Sequence, residues 1–154
     1  MNEMSIVRGR CLCGDIRYEY SGAPVKVLHC HCESCRRHTS SPVATFVCVN
    51  TDAFCFTKGT PAVFESSHGV KRMHCARCGS PIAYRSDRNP HQIDLYLGTL
   101  ADPEASHPSF HVFAEEQLDW FEIADALPRY AKGQRGAIPV RHGSRQINVL
   151  PRRA

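Results

Sequence analysis

Three thiols and two guanidinium groups fall within eight residues of this chain, Cys30-His31-Cys32-Glu33-Ser34-Cys35-Arg36-Arg37. Thiols at i, i+2 and i+5 can close on one metal ion if the backbone turns sharply after the second. Three sulfur ligands would leave a fourth position for water, substrate or one more side chain. Structural zinc sites are usually closed by four protein ligands, whereas catalytic ones keep a position open. Whether this trio is open or closed therefore decides what the protein can do.

The other cysteines narrow the choice. Nine in 154 residues is an odd count, and no basic segment followed by an apolar one marks the start as a secretory signal. A cytoplasmic protein is the expectation, and in a reducing compartment clustered cysteines bind metal more often than they form disulfides. Cys75-x-x-Cys78-Gly79 has the form of a zinc knuckle. Its turn points backbone N–H groups at the sulfurs, and the glycine lets the chain leave at positive φ. Cys11-x-Cys13-Gly14 offers two more thiols followed by glycine. Together the two segments make a four-cysteine set, the signature of a closed structural zinc, although either C-x-C segment could partner the knuckle. Cys48 and Cys55 sit in apolar strand patterns and read as buried structural thiols. A histidine could close the central trio, with His29, His31, His38 and His74 near enough in sequence.

Strand patterns dominate elsewhere. Ile16, Tyr18 and Tyr20 alternate with Asp15, Arg17 and Glu19, as in a half-buried strand. Val25, Val27 and Leu28 start a second strand running into the central trio. Residues 43–49 read as a buried strand and 53–57 as another, while 63–65 and 70–74 flank a turn and form a hairpin. Further strands are expected at 82–85 and 92–97. Residues 1–10 read as a lead-in, 38–42 as loop, 114–118 as a single helical turn, and 123–130 is interrupted by Pro128. Strands at this spacing with Gly and Pro turns predict a mainly β domain.

The formal charge is +4, but seven of the 19 basic residues and none of the 15 acidic ones lie from Arg129 onward. The first 128 residues thus carry 12 basic against 15 acidic groups, a net −3. A mildly acidic body argues against a nucleic-acid surface, which needs clustered Lys and Arg. No apolar run approaches a membrane span.

These residues together resemble the family of glutathione-dependent formaldehyde-activating enzymes and centromere protein V. The family's Gly-x-Cys-x-Cys-Gly-x-Ile/Val-x-Tyr opening is met by residues 9–18, and its Cys-His-Cys-x-x-Cys-Arg-Arg by residues 30–37. The Cys-x-x-Cys-Gly-Ser segment is met by residues 75–80, preceded by His74 rather than the usual Phe. Leu97-Gly98-Thr99-Leu100-Ala101-Asp102-Pro103, His111, Trp120 and Leu127-Pro128-Arg129-Tyr130 also fit. One departure is Ser40, at or next to a position where many members carry glycine.

The resemblance implies a single zinc-binding β-tent domain over residues 1–132. It would have two folded antiparallel sheets, like methionine sulfoxide reductase B, and few short helices; a basic extension follows over 133–154. It implies two zinc ions per chain: a structural one on Cys11, Cys13, Cys75 and Cys78, and a catalytic one on Cys30, Cys32 and Cys35. It also implies a carbon–sulfur lyase that makes or cleaves S-hydroxymethylglutathione from glutathione and formaldehyde, or a related thiol–aldehyde adduct. Arg36, Arg37 and Arg77 would balance the thiolate charge. Arg36, Arg37 and His38 are the expected substrate contacts, since arginine pairs bidentately with carboxylates. His31 or His38 would move the proton, and His111 and Trp120 would line the pocket. The expected partners are a small thiol such as glutathione and an aldehyde, with no membrane and no nucleic acid; a homodimer is compatible with this class. The alternative is a non-enzymatic zinc module that binds nucleic acid or chromatin through its basic tail.

Overall fold

The computed structural model describes residues 5–134. Ten strands and one α-helix follow in the order β1 (Ile6–Arg10), β2 (Arg17–Ser21), β3 (Lys26–Cys30), α1 (Glu33–Thr39), β4 (Ala44–Asn50), β5 (Phe54–Lys58), β6 (Ala62–Ser67), β7 (Val70–His74), β8 (Pro81–Ser86), β9 (Gln92–Tyr96) and β10 (Phe110–Val112). They form a three-stranded sheet, β1-β2-β5, and a seven-stranded sheet, β10-β3-β4-β9-β8-β7-β6. The mainly β, two-sheet expectation holds. One strand pair departs from it, because β10 runs parallel to β3 and makes the large sheet mixed.

The apolar run of β4 explains the layering. Successive strand residues point to opposite faces, and β4 buries both: Val47 and Val49 pack with Tyr18 and Tyr20 of the small sheet, whereas Phe46 and Cys48 pack with Leu28, Cys35 and Tyr96. A strand buried on both faces reads as continuous apolar sequence. The large sheet thus separates two cores, one under the small sheet and one under α1. Val47, Ile82 and Leu95 are completely buried, each stabilising the fold by about 1.5–3 kcal/mol.

Several local expectations need correction. Residues 6–10 are not a lead-in but β1, paired antiparallel with β2. Its exposed Ile6 and Arg8 gave it no apolar alternation to read. Residues 38–42 are not wholly loop, since α1 extends to Thr39. Ser34, Cys35 and Thr39 are weak helix formers; the helix is set from outside, as the next subsection describes. The three-residue β10 was missed because its partners are β3 on one side and residues 128–130 on the other, both distant in sequence. Cys48 is buried as expected, but Cys55 is exposed, because alternation on β5 turns Phe54 and Phe56 toward the core. Among the described residues no helix is long and apolar enough to cross a membrane. The basic extension, apart from residues 133 and 134, lies outside the described residues.

Candidate metal centres and active site

Two turns bring the four-cysteine set together. Gly14 donates its N–H to the Cys11 carbonyl at 3.1 Å, and Gly79 to the Cys75 carbonyl at 2.9 Å. Both glycines have positive φ, +80° and +76°, as the two Cys-Gly motifs lead one to expect. Ser80 fastens the turns to each other, its hydroxyl accepting from Leu12 N–H at 2.9 Å and lying 3.2 Å from Cys78 Sγ. The sulfurs of Cys11 and Cys13 are 3.5 Å apart, and those of Cys13 and Cys75 are 3.7 Å apart. No disulfide joins them; all nine cysteines are free thiols. All four Sγ atoms lie within 4.8 Å of one another. Arg77 belongs to this end of the molecule and not to the trio, since it pairs with Asp15 at 3.1 Å.

Cys30, Cys32 and Cys35 likewise bring their sulfurs within 4.8 Å of one another. Cys30 ends β3, Cys32 caps α1, and Cys35 is the buried residue of α1. The sharp turn the spacing requires is the start of this helix. Cys32 Sγ accepts from the Cys35 N–H at 3.4 Å, and the Glu116 carboxylate accepts from the Glu33 N–H at 2.6 Å. Acceptors at a helix start satisfy its otherwise unpaired donors, which is how weak helix formers are held in a helix here. Among the described residues no histidine or carboxylate joins the trio within that distance.

Crowded thiols share protons unevenly. Contact with Cys30, then Cys35, pulls Cys32 down to about 2, while contact with Cys32, then Cys35, together with burial, pushes Cys30 far above the thiol range. Cys35, lowered by Cys30 but raised by Cys32 and burial, settles at about 11. In the four-cysteine set the Ser80 hydroxyl leads the groups that bring Cys78 down to about 5. Cys13 is lowered by the Asp15 backbone but raised further by burial and its three sulfur neighbours, to about 12. Without a cation each cluster keeps protons to limit its charge; a divalent metal would let every sulfur ionise. Both donor sets therefore fit zinc, one with four sulfurs and one with three.

Sequence reasoning missed one residue at the trio. Arg72, on β7, donates from Nη1 to Cys35 Sγ at 3.6 Å and to the Tyr96 hydroxyl at 3.4 Å. It is buried, and its position 37 residues away, next to Lys71 on a strand without polar alternation, gave no signal.

The expected substrate contacts divide. Arg36 and Arg37 line a cleft of about 740 Å³ with Glu33, Ser40, Ser41, Pro42, Leu118 and Trp120. Arg37 pairs with Glu33 at 2.7 Å along the helix, and Trp120 is 74% exposed. His38 faces away from this cleft toward Tyr96, with ring centroids 5.7 Å apart. Its Nε2 is buried without a hydrogen bond, and burial, then Arg72 and His74, lowers its pKa, so the ring is neutral. His111 lies outside the cleft, fully buried beside His31 and His29.

The sequence profile described as glutathione-dependent formaldehyde-activating enzyme matches residues 6–116. The chain belongs to the glutathione-dependent formaldehyde-activating enzyme family. The matched region of this family member contains both cysteine clusters. An uncharacterized lyase of Schizosaccharomyces pombe is 32% identical over 91 residues, 58% of this chain and 66% of the relative, just under two thirds of its length. A structural-genomics crystal structure of a Rhodobacter sphaeroides protein shares the fold with a TM-score of 0.54 at 19% identity. That match covers 64% of this chain and 93% of the other.

Proposed function

We propose that this protein is a zinc-dependent carbon–sulfur lyase acting on the adduct of a small thiol and an aldehyde. S-hydroxymethylglutathione is the adduct best supported. The observation that carries the reading is the trio of thiols that no fourth protein ligand joins among the described residues. The family description names glutathione and formaldehyde, and the yeast relative is named a lyase. Cys11, Cys13, Cys75 and Cys78 would hold a structural zinc, and Cys30, Cys32 and Cys35 a catalytic one. Zinc bound by the trio would supply a Lewis acid that favours the thiolate form of a substrate sulfur.

The chain's own groups supply the rest. Glutathione carries two carboxylates and one ammonium, and the cleft offers Arg36, Arg37 and Glu33. The arginines take the carboxylates, and Glu33 exchanges its contact with Arg37 for the ammonium. Trp120 and Leu118 cover the apolar parts of the tripeptide. In cleavage, the C–S bond breaks with its electron pair going to sulfur, while the adduct hydroxyl loses its proton as the carbonyl forms. That proton passes to solvent at the open cleft, because His38, the expected proton carrier, has its Nε2 buried on the Tyr96 side and does not line the cleft. Synthesis is the reverse.

The test is exchange spectroscopy on zinc-loaded protein with carbon-13 formaldehyde and glutathione. Enzyme-dependent exchange between free and adduct signals, faster than the uncatalysed exchange, supports the reading. No acceleration with glutathione or with cysteine and other small thiols overturns it.

A further inference from the structure

Behind the Cys30–Cys32 segment lies a chain of polar groups that the reaction above does not use. His31 is fully buried between two candidate ligands, with Nε2 2.8 Å from His111 Nδ1. His111, fully buried on β10, places its own Nε2 3.0 Å from Asp125 Oδ2. Asp125 Oδ1 accepts from Arg129 Nη1 at 3.0 Å and from the Leu127 N–H at 3.1 Å. Arg129 is anchored in turn by the carbonyls of Leu127 and Ile123, both at 3.0 Å.

Donors and acceptors fix the protons along this chain. A carboxylate only accepts, so His111 carries its proton on Nε2 and presents a lone pair at Nδ1. His31 must then donate from Nε2. Its backbone is held as well: the N–H donates to Val112 O at 3.1 Å, and the carbonyl accepts from Arg36 Nε at 3.2 Å. Position on the strand completes the argument. His29 and Cys30 are neighbours on β3 and point to opposite faces, and His111 pairs with His29 in the parallel register. The histidines therefore stand on the face of the sheet away from the Cys30 sulfur.

We propose that Asp125 and His111, anchored by Arg129, are positioning residues that hold His31 in its Nε2–H tautomer and so fix the Cys30-His31-Cys32 backbone for metal binding. His29, His111 and Asp125 also place ligand atoms within 4.8 Å of one another. They serve as a hydrogen-bond network rather than a third metal site, because Arg129 already sits on the carboxylate and His111 Nε2 donates to it. The proposal rests on the trio being a metal site, and metal ligands are commonly oriented by such outer partners.

Asp125→Asn provides the test. Two donors, Arg129 and the Leu127 N–H, hold the carbonyl oxygen of the new side chain at the Oδ1 position, which turns its NH2 toward His111. His111 Nε2 lies 3.0 Å from the Oδ2 position that becomes NH2 and 3.2 Å from the Oδ1 position, so the nearer contact favours the Nδ1–H tautomer of His111, and His31 switches with it. Nitrogen-15 spectra of histidine-labelled full-length protein read both rings directly. The expected result is inversion of both tautomers, with zinc affinity at the trio lowered by roughly 10–100-fold and that of the four-cysteine set unchanged in chelator competition. His111→Gln, whose amide can accept from His31 and donate to Asp125, should retain most of the trio's affinity, and His111→Phe should not. Unchanged tautomers in Asp125→Asn, equal weakening of both clusters, or a third tightly bound zinc in the wild type would each overturn the proposal. A trio that binds no zinc in the wild type would instead sink the catalytic reading, while the tautomer inversion would still be measurable.

Discussion

Arg72 reaches across from β7 to place Nη1 3.6 Å from the Sγ of Cys35, the trio's member on α1. Ser66 Oγ accepts from its Nε at 3.0 Å, and its guanidinium lies 5.2 Å from the centroid of the Tyr84 ring. Among the described residues no carboxylate pairs with it. A buried cation needs a compensating charge, and the thiolates of the trio supply it. In return, Arg72 would offset the negative charge that three sulfurs and a substrate thiolate would leave around one divalent ion. Arg72→Met is expected to lower zinc affinity at the trio by about 10–100-fold and leave the four-cysteine set unchanged. Chelator competition with two resolved phases measures this, and identical affinities in variant and wild type would remove the arginine from the site. Arg72→Lys should recover only part, because one ammonium cannot reach Ser66, Tyr96 and Cys35 in the planar fork that arginine uses.

The two clusters should fail differently. Cys11 and Cys75 are buried in the core between the sheets, so a metal held there would link the ends of β1 and β7, and its loss would break that link. Cys78→Ser is therefore expected to unfold the domain or lower its melting temperature steeply, since structural zinc contributes folding free energy directly. Cys32 is only partly buried, at the edge of the second core. Cys32→Ser should remove about one zinc per chain and abolish activity while the circular dichroism spectrum keeps its native form. Metal analysis beside thermal melting checks both; if each variant lost both metals and the fold together, the division between the clusters would be wrong.

Much of this was legible because cysteine spacing and strand alternation are local signals. Cys75-x-x-Cys78-Gly79 announced its turn, and β4 announced a strand buried on both faces. What escaped was non-local. Helix α1 depends on the Glu116 carboxylate, 83 residues from the N–H it accepts. Arg72 meets Cys35 only because its side chain projects from β7 onto the face of the large sheet that α1 covers. The Asp125–His111–His31 chain joins three segments, and Asp125 falls in a stretch with no regular structure to mark it.

Gly9 opens the first cysteine motif, and its role is steric. It pairs with Tyr18 across β1 and β2, and a Cβ added there would fall within the Tyr18 ring. That ring is buried, with its hydroxyl 2.6 Å from Thr99 Oγ1. The tyrosine thus covers the backbone that glycine leaves bare. Gly9→Ala is expected to destabilise the protein by about 1–3 kcal/mol, read as a lowered urea midpoint in zinc-loaded protein. A midpoint within error of wild type would mean that Tyr18 can move aside at no cost.

Ser40 is the departure from the family pattern, and it occupies a strained position. At the end of α1 it adopts φ 52° and ψ 36°, in the left-handed region, and its N–H closes the helix by donating to Arg36 O. A side chain in that region costs about 1–2 kcal/mol, and glycine avoids it. Glycine in turn loses more backbone entropy on folding, about 0.4–1 kcal/mol. The balance favours Ser40→Gly by up to about 1.5 kcal/mol, measurable as a raised urea midpoint in zinc-loaded protein. Because Ser40 also lines the cleft beside Arg36 and Arg37, the same variant should change KM for the thiol more than kcat. A lowered midpoint would show that the serine side chain stabilises this turn by more than its conformation costs.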